Sequence, residues 1–143
     1  MGQDDPFNLQ RFVAAQDGMF ERVRAELRAG RKRSHWIWFV FPQIEGLGFS
    51  PTAQFYALSS LDEARSFLAH PVLGPRLREC VDLVNRIESR SLFEIFGDPD
   101  DKKFRSSMTL FERAAPDEKR FAQALDKYCA GARDPLTLQK LGL

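Results

Sequence analysis

Two stretches of this chain set basic, hydroxyl and aromatic side chains close enough together to grip an anion. The first reads Arg31-Lys32-Arg33-Ser34-His35-Trp36-Ile37-Trp38-Phe39-Val40-Phe41-Pro42-Gln43. Three cations abut an aromatic block that holds both tryptophans of the chain, with Ser34 and His35 at the join. A helix opening after Ser34 would aim free N–H groups and the positive end of its dipole at solvent beside Arg31, Lys32 and Arg33, an arrangement that suits phosphate. His35 would lie in the first turn, able to donate to a phosphate or exchange a proton near neutral pH, and is the candidate catalytic residue. Trp36 or Trp38 offers a ring to stack on a base. Gln43 closes the segment. Gly46 and Gly48 then let a loop backbone approach a ligand closely, and Ser50 shapes the mouth. This glycine pair lacks the third glycine and the preceding strand of a dinucleotide fingerprint.

The second stretch is Lys102-Lys103-Phe104-Arg105-Ser106-Ser107-Met108-Thr109. On a helix, Arg105 and Thr109 lie four apart on one face, where they can hold one ligand or one carboxylate, with Ser106 beside them. Three hydroxyl residues in four positions are poor helix formers and need close packing or a partner.

Each stretch also has a plain structural reading. Trp36 to Phe41 is apolar nearly all round, as a buried helix is, with Ser34 as its N-cap and Arg31 to Arg33 as a solvated loop. Ser106 and Ser107 serve equally as small residues at a tight helix crossing, bonded back to the preceding turn. The spacing alone leaves both pairs of readings open.

Other chemistry is excluded. Two histidines (His35 and His70) and two cysteines (Cys80 and Cys129) make no structural zinc set, so no metal and no cofactor is expected. The cysteines suit free thiols in a reducing compartment. No nucleophile elbow, P-loop or His-Glu-x-x-His occurs. With 21 basic and 20 acidic residues the formal net charge is +1, which gives nucleic acid or an anionic membrane no global field to follow. The acidic start, Met1 to Pro6, lacks the apolar stretch of a signal peptide, and the longest apolar run is too short to span a bilayer. These features point to the cytoplasm.

The elements that must position these residues are helical. The 143 residues fit one domain, 1–143, large enough to fold without a metal or disulfide. Asp5-Pro6, Ser50-Pro51, Asp98-Pro99 and Asp134-Pro135 each pair an N-cap with a proline suited to the first helical position. Ser60 to Glu63 and Ser91 to Glu94 read as capping boxes. Apolar stripes at helical spacing run through Leu9–Val13, Phe20–Leu27, Leu73–Ile87, Phe104–Phe111, Phe121–Tyr128 and Leu136–Leu141, and Gly30, Gly97 and Gly131 stop helices. No strand-length alternation with hairpin turns occurs. The expectation is an all-α fold: a compact, irregular bundle of short helices.

Several of these blocks carry a resemblance. Leu9-Gln10-Arg11-Phe12 with Ala15-Gln16, then Gly30 to Phe39, Phe41-Pro42-Gln43, Gly46-Leu47-Gly48, His70 to Gly74, Ile95-Phe96-Gly97, Arg105 to Phe111 and Leu125 to Tyr128 resemble the family catalogued as domain of unknown function 1810. The resemblance covers nearly the whole chain. It implies the all-helical type known as Rv1873-like, with Trp36–Phe41 as helix, and brings no activity with it. Some members carry the label calpastatin, which does not suit a chain with a globular core. A fainter resemblance to the YbiA-like group, linked to ADP-ribose chemistry, rests on an Arg-rich polar helix before Phe121 and Leu125 and assigns no reaction.

Two functions fit these residues. One is a basic, aromatic pocket for a small anionic ligand, a nucleotide or an ADP-ribose-like compound, with hydrolysis as the first reaction class to try. The other is a protein-binding face without catalysis, which requires an exposed apolar patch and a solvent-facing Trp36 or Trp38.

Overall fold

The computed structural model describes residues 5–143, so the reading of Met1 to Asp4 lies outside the described residues. Ten helices occur among them: α1 (Gln10–Gln16), α2 (Phe20–Arg28), α3 (Ile37–Val40), α4 (Pro51–Phe55), α5 (Leu61–Ala69), α6 (Leu73–Arg86), α7 (Leu92–Phe96), α8 (Asp100–Ala114), α9 (Lys119–Cys129) and α10 (Pro135–Lys140). The described chain is all-α, and its one β-type pairing is an isolated bridge between Ile44 and Leu58.

Local chemistry sets most of the boundaries. Ser50 and Asp134 accept amide hydrogen bonds from Ala53 and Thr137, with Pro51 and Pro135 opening α4 and α10 as expected. Ser91 and Glu94 form the full capping box of α7. At α5 only half of the box forms: Ser60 accepts from the Glu63 amide, while the Glu63 carboxylate takes Ser59 instead. Two proline expectations are corrected. Asp5 caps α1 from five residues upstream, accepting the Leu9 and Gln10 amides, because the chain turns at residues 6–7 and 9 before the helix opens. Pro99 is itself the N-cap of α8, and Asp98 lies one residue before it. Gly30, Gly97 and Gly131 all take positive φ at helix ends.

α8 runs through the middle, touching α3, α5, α7, α9 and α10. Its residues from Ser106 to Phe111 are buried without a break. That explains its small hydroxyl residues, since neighbouring helices approach on several sides at once. Aromatic rings tie the layers together. Phe104 stacks on Phe96 at 4.9 Å and meets Phe41 edge-on at 4.9 Å. Phe67 contacts Phe12 at 5.1 Å and Phe111 at 5.6 Å. No helix of the described residues is long and apolar enough to cross a membrane.

Candidate functional site

The 31–43 segment is organised by a residue outside it. Glu26 sits at the edge of the α2 apolar stripe, one turn beyond Val23, and is 8% exposed. Its carboxylate accepts the Arg33 amide (2.8 Å), the Ser34 amide (3.0 Å), the Ser34 hydroxyl (2.6 Å) and the Trp36 indole N–H (2.9 Å). Burial opposes its ionisation. The Ser34 hydroxyl, the two amides and the indole outweigh burial and bring the pKa down to about 2.

Three expectations change as a result. Ser34 is not a helix N-cap: its hydroxyl donates to Glu26, and α3 opens only at Ile37 as a single turn. Trp36 cannot stack on a ligand, because it is fully buried. It also does not supply the solvent-facing tryptophan of a protein-binding face, and Trp38 is half-buried. Lysines already cover both rings: Lys32 lies 5.2 Å from the Trp36 centroid and Lys103 lies 4.8 Å from that of Trp38. Asp100 pairs with both lysines, at 2.7 Å and 3.6 Å. Arg33 and His35 are exposed.

The second stretch grips the chain itself. Arg105 donates to the carbonyls of Ala132 (2.9 Å) and Arg133 (2.8 Å). The Ser106 hydroxyl contacts the Lys102 carbonyl and the Asp134 carboxylate, and Thr109 bonds back to the Arg105 carbonyl while accepting the Asp134 amide. The α9–α10 loop therefore fills the place given above to a ligand. Ser107 is buried and its hydroxyl has no hydrogen-bond partner among the described residues. Arg33, His35 and Arg105 do not converge on one hollow.

A hollow of ligand size lies elsewhere. A cleft of about 680 Å³ opens between the 44–49 loop, the 57–61 segment and the end of α10. Ligand pockets commonly have this size. Gly46 and Gly48, both expected at a ligand mouth, line it together with Glu45, Phe49, Gln54 and Lys140. Phe49 is 81% exposed at its edge. Gly46 has φ +91°, and a Cβ there would meet the Cε and Nζ of Lys140 at 3.0 Å, so the lysine side chain lies directly across the glycine. Ser50 caps the adjacent α4. Behind the cleft, Trp38, Gln43 and Gly48 line a recess of about 10 Å³, and the Trp38 indole nitrogen is buried without a hydrogen-bond partner among the described residues.

The walls are rigidly held. Arg11 on α1 donates to the carbonyls of Phe55 (2.8 Å) and Ala57 (3.1 Å) and pairs with Glu63 at 3.0 Å. Glu63 in turn accepts the Ser59 amide and hydroxyl. Glu45 donates its amide to the Leu58 carbonyl, and Leu58 donates to that of Gln43, both at 2.8 Å. Loop and wall are thereby stitched along the Ile44–Leu58 bridge.

Of the basic residues, Arg31 and Lys32 line a separate groove beside α7, and Arg105 lines another that shares Phe93 with it. Among the described residues, Arg31, Arg90, Lys140 and Glu45 form no ion pair within 4.0 Å. Sequence reasoning missed Glu45, Phe49, Gln54 and Lys140 at the cleft. Phe49 adjoins Gly48 and was within reach of a pattern reading. Lys140 lies far along the chain, and only the packing of α10 brings it to Gly46.

A comparison with curated proteins finds no match. Among solved structures, the chain is similar to the conserved hypothetical protein Rv1873 from Mycobacterium tuberculosis, with 55% identity, a TM-score of 0.96, and coverage of 97% of this chain and 99% of that one. Residues 6–141 match the family model described as "Protein of unknown function (DUF1810)". With that match over nearly its whole length, the all-helical architecture and the Arg11, Ser34–Trp36 and Arg105–Thr109 blocks in place, the chain belongs to the DUF1810 family.

Proposed function

We propose that this protein binds a small, ring-bearing ligand with one anionic group, of nucleotide type, in the cleft between the 44–49 loop and α10. The observation that supports this reading is the placing of Lys140 across Gly46 inside a cleft of about 680 Å³ whose edge carries the exposed Phe49 ring. The ammonium takes the anion, the phenyl ring takes the flat part, and Glu45 takes hydroxyl or amino donors. Because Lys140 and Glu45 both line the hollow, a monophosphate suits it better than a pyrophosphate such as ADP-ribose. His35 does not line the cleft, so the reading is of binding and includes no hydrolysis.

Thermal unfolding with and without ligand is the test. Saturation at a hundredfold excess over Kd adds about 2.7 kcal/mol, which raises the Tm of a chain this long by roughly 6–10 °C. AMP should produce such a shift in the natural protein and lose most of it in Lys140→Ala, with ADP-ribose weaker. If neither AMP nor any other nucleoside monophosphate stabilises the protein at millimolar concentration, the proposal fails.

A further inference from the structure

We propose a second, separate site: Arg31 and Arg90 form a clamp for a phosphate monoester whose organic part rests on Phe93. Gly30, just past the end of α2, has φ +75°, and a Cβ there would stand 3.3 Å from both Cδ and Nε of Arg90. The absent side chain lets Arg90 lie against the backbone immediately before Arg31. Both arginines are exposed, and both line the same groove of about 430 Å³. Neither has a carboxylate partner within 4.0 Å among the described residues.

The floor beneath them is fixed. The Arg31 amide donates to the Glu26 carbonyl at 3.0 Å, and the Lys32 amide donates to that of Ile95 at 2.7 Å. The third cation of the groove is Lys32, whose side chain is 6% exposed and committed to Asp100. Its one acid, Glu94, accepts the Ser91 amide in the α7 capping box. Two guanidinium groups facing one hollow repel each other unless an anion lies between them. Their planar forks match the oxygens of a phosphate, and a dianion balances both charges. Phe93, 56% exposed, lines this groove and the neighbouring hollow below Tyr128, so it offers an apolar rest beside the charge. The clamp is independent of the cleft, which shares none of these residues.

The test is an NMR titration of the full chain carrying Lys140→Ala, which removes the cleft's cation. Phenyl phosphate, inorganic phosphate and acetate are added in turn. The clamp predicts that phenyl phosphate shifts the Arg31 and Arg90 Nε–H signals and the Gly30 and Gly97 amides, and binds more tightly than inorganic phosphate, with acetate weakest. Arg31→Ala and Arg90→Ala should each weaken phenyl phosphate about tenfold. Phe93→Ala should bring it down to the level of inorganic phosphate. AMP and N-acetyl-phosphotyrosine amide, run in parallel, separate a nucleotide from a phosphorylated side chain as the source, the tighter naming it. Acetate binding as well as phosphate, shifts confined to other residues, or affinities indifferent to both arginine replacements would overturn the proposal.

Discussion

Glu26→Gln isolates the bond set that shapes the 31–36 turn. The glutamine keeps the volume and an acceptor oxygen for the Arg33 amide and the Trp36 indole, and its NH₂ group can face the Ser34 hydroxyl, which then accepts. What disappears is the charge. In the natural protein the Glu26 pKa falls from 4.5 to about 2 on folding. A folded value below the unfolded one means that the stabilisation is complete above about pH 4.5 and is lost as pH falls toward 2. The difference amounts to about 3 kcal/mol at neutral pH, of which about 2 kcal/mol is gone by pH 3. Glu26→Gln should therefore be about 2–3 kcal/mol less stable at pH 7, with the gap closing to about 1 kcal/mol at pH 3. Urea unfolding followed by circular dichroism at the two pH values measures this. Parallel losses in both proteins between pH 7 and pH 3 would refute the assignment of the carboxylate as the organising charge.

Three further outcomes follow from the packing. Arg11→Ala leaves the Glu63 carboxylate, 4% exposed, without its cation and frees the 55–57 wall of the cleft, so stability should fall by about 3–5 kcal/mol in urea unfolding at pH 7. Gly74→Ala places a Cβ 2.1 Å from the Leu68 carbonyl oxygen, a clash with backbone that cannot move cheaply, and should lower the Tm by roughly 6–10 °C. Burial pushes the Cys80 thiol up to about 12, whereas Cys129 is only half-buried; iodoacetamide followed by mass spectrometry should label Cys129 in the native protein and reach Cys80 only after unfolding.

The helices were legible because their signals are local. A serine or aspartate before a proline, a glycine at a helix end, and apolar residues three and four apart act within one turn, and they located α2, α4, α6, α7, α9 and α10 closely. The same logic failed for Ser34, because its partner is Glu26, eight residues back on another helix. An acid at the edge of an apolar stripe was the available clue, since a buried carboxylate must find donors, and Ser34 and Trp36 supply them. On spacing alone, Arg105, Ser106 and Thr109 are groups able to hold a ligand or a carboxylate. What they grip is the 132–134 loop, a choice that tertiary packing makes and spacing cannot show. The resemblance to the DUF1810 family, now shown by the family match, spans the same residues. Gly46 and Gly48 were legible as loop glycines, but Lys140 and Arg90 reach the two hollows only through folding.

The nucleotide reading of the cleft is tested most directly by the two indole N–H signals of the ¹H–¹⁵N spectrum. Glu26→Gln assigns the Trp36 signal, because that indole donates to Glu26. Trp38 lines the recess behind the cleft. Titration with AMP should move the Trp38 signal together with the Gly46 and Gly48 amides and leave the Trp36 signal in place. An unmoved Trp38, or shifts gathered instead around Gly30 and Gly97, would contradict it.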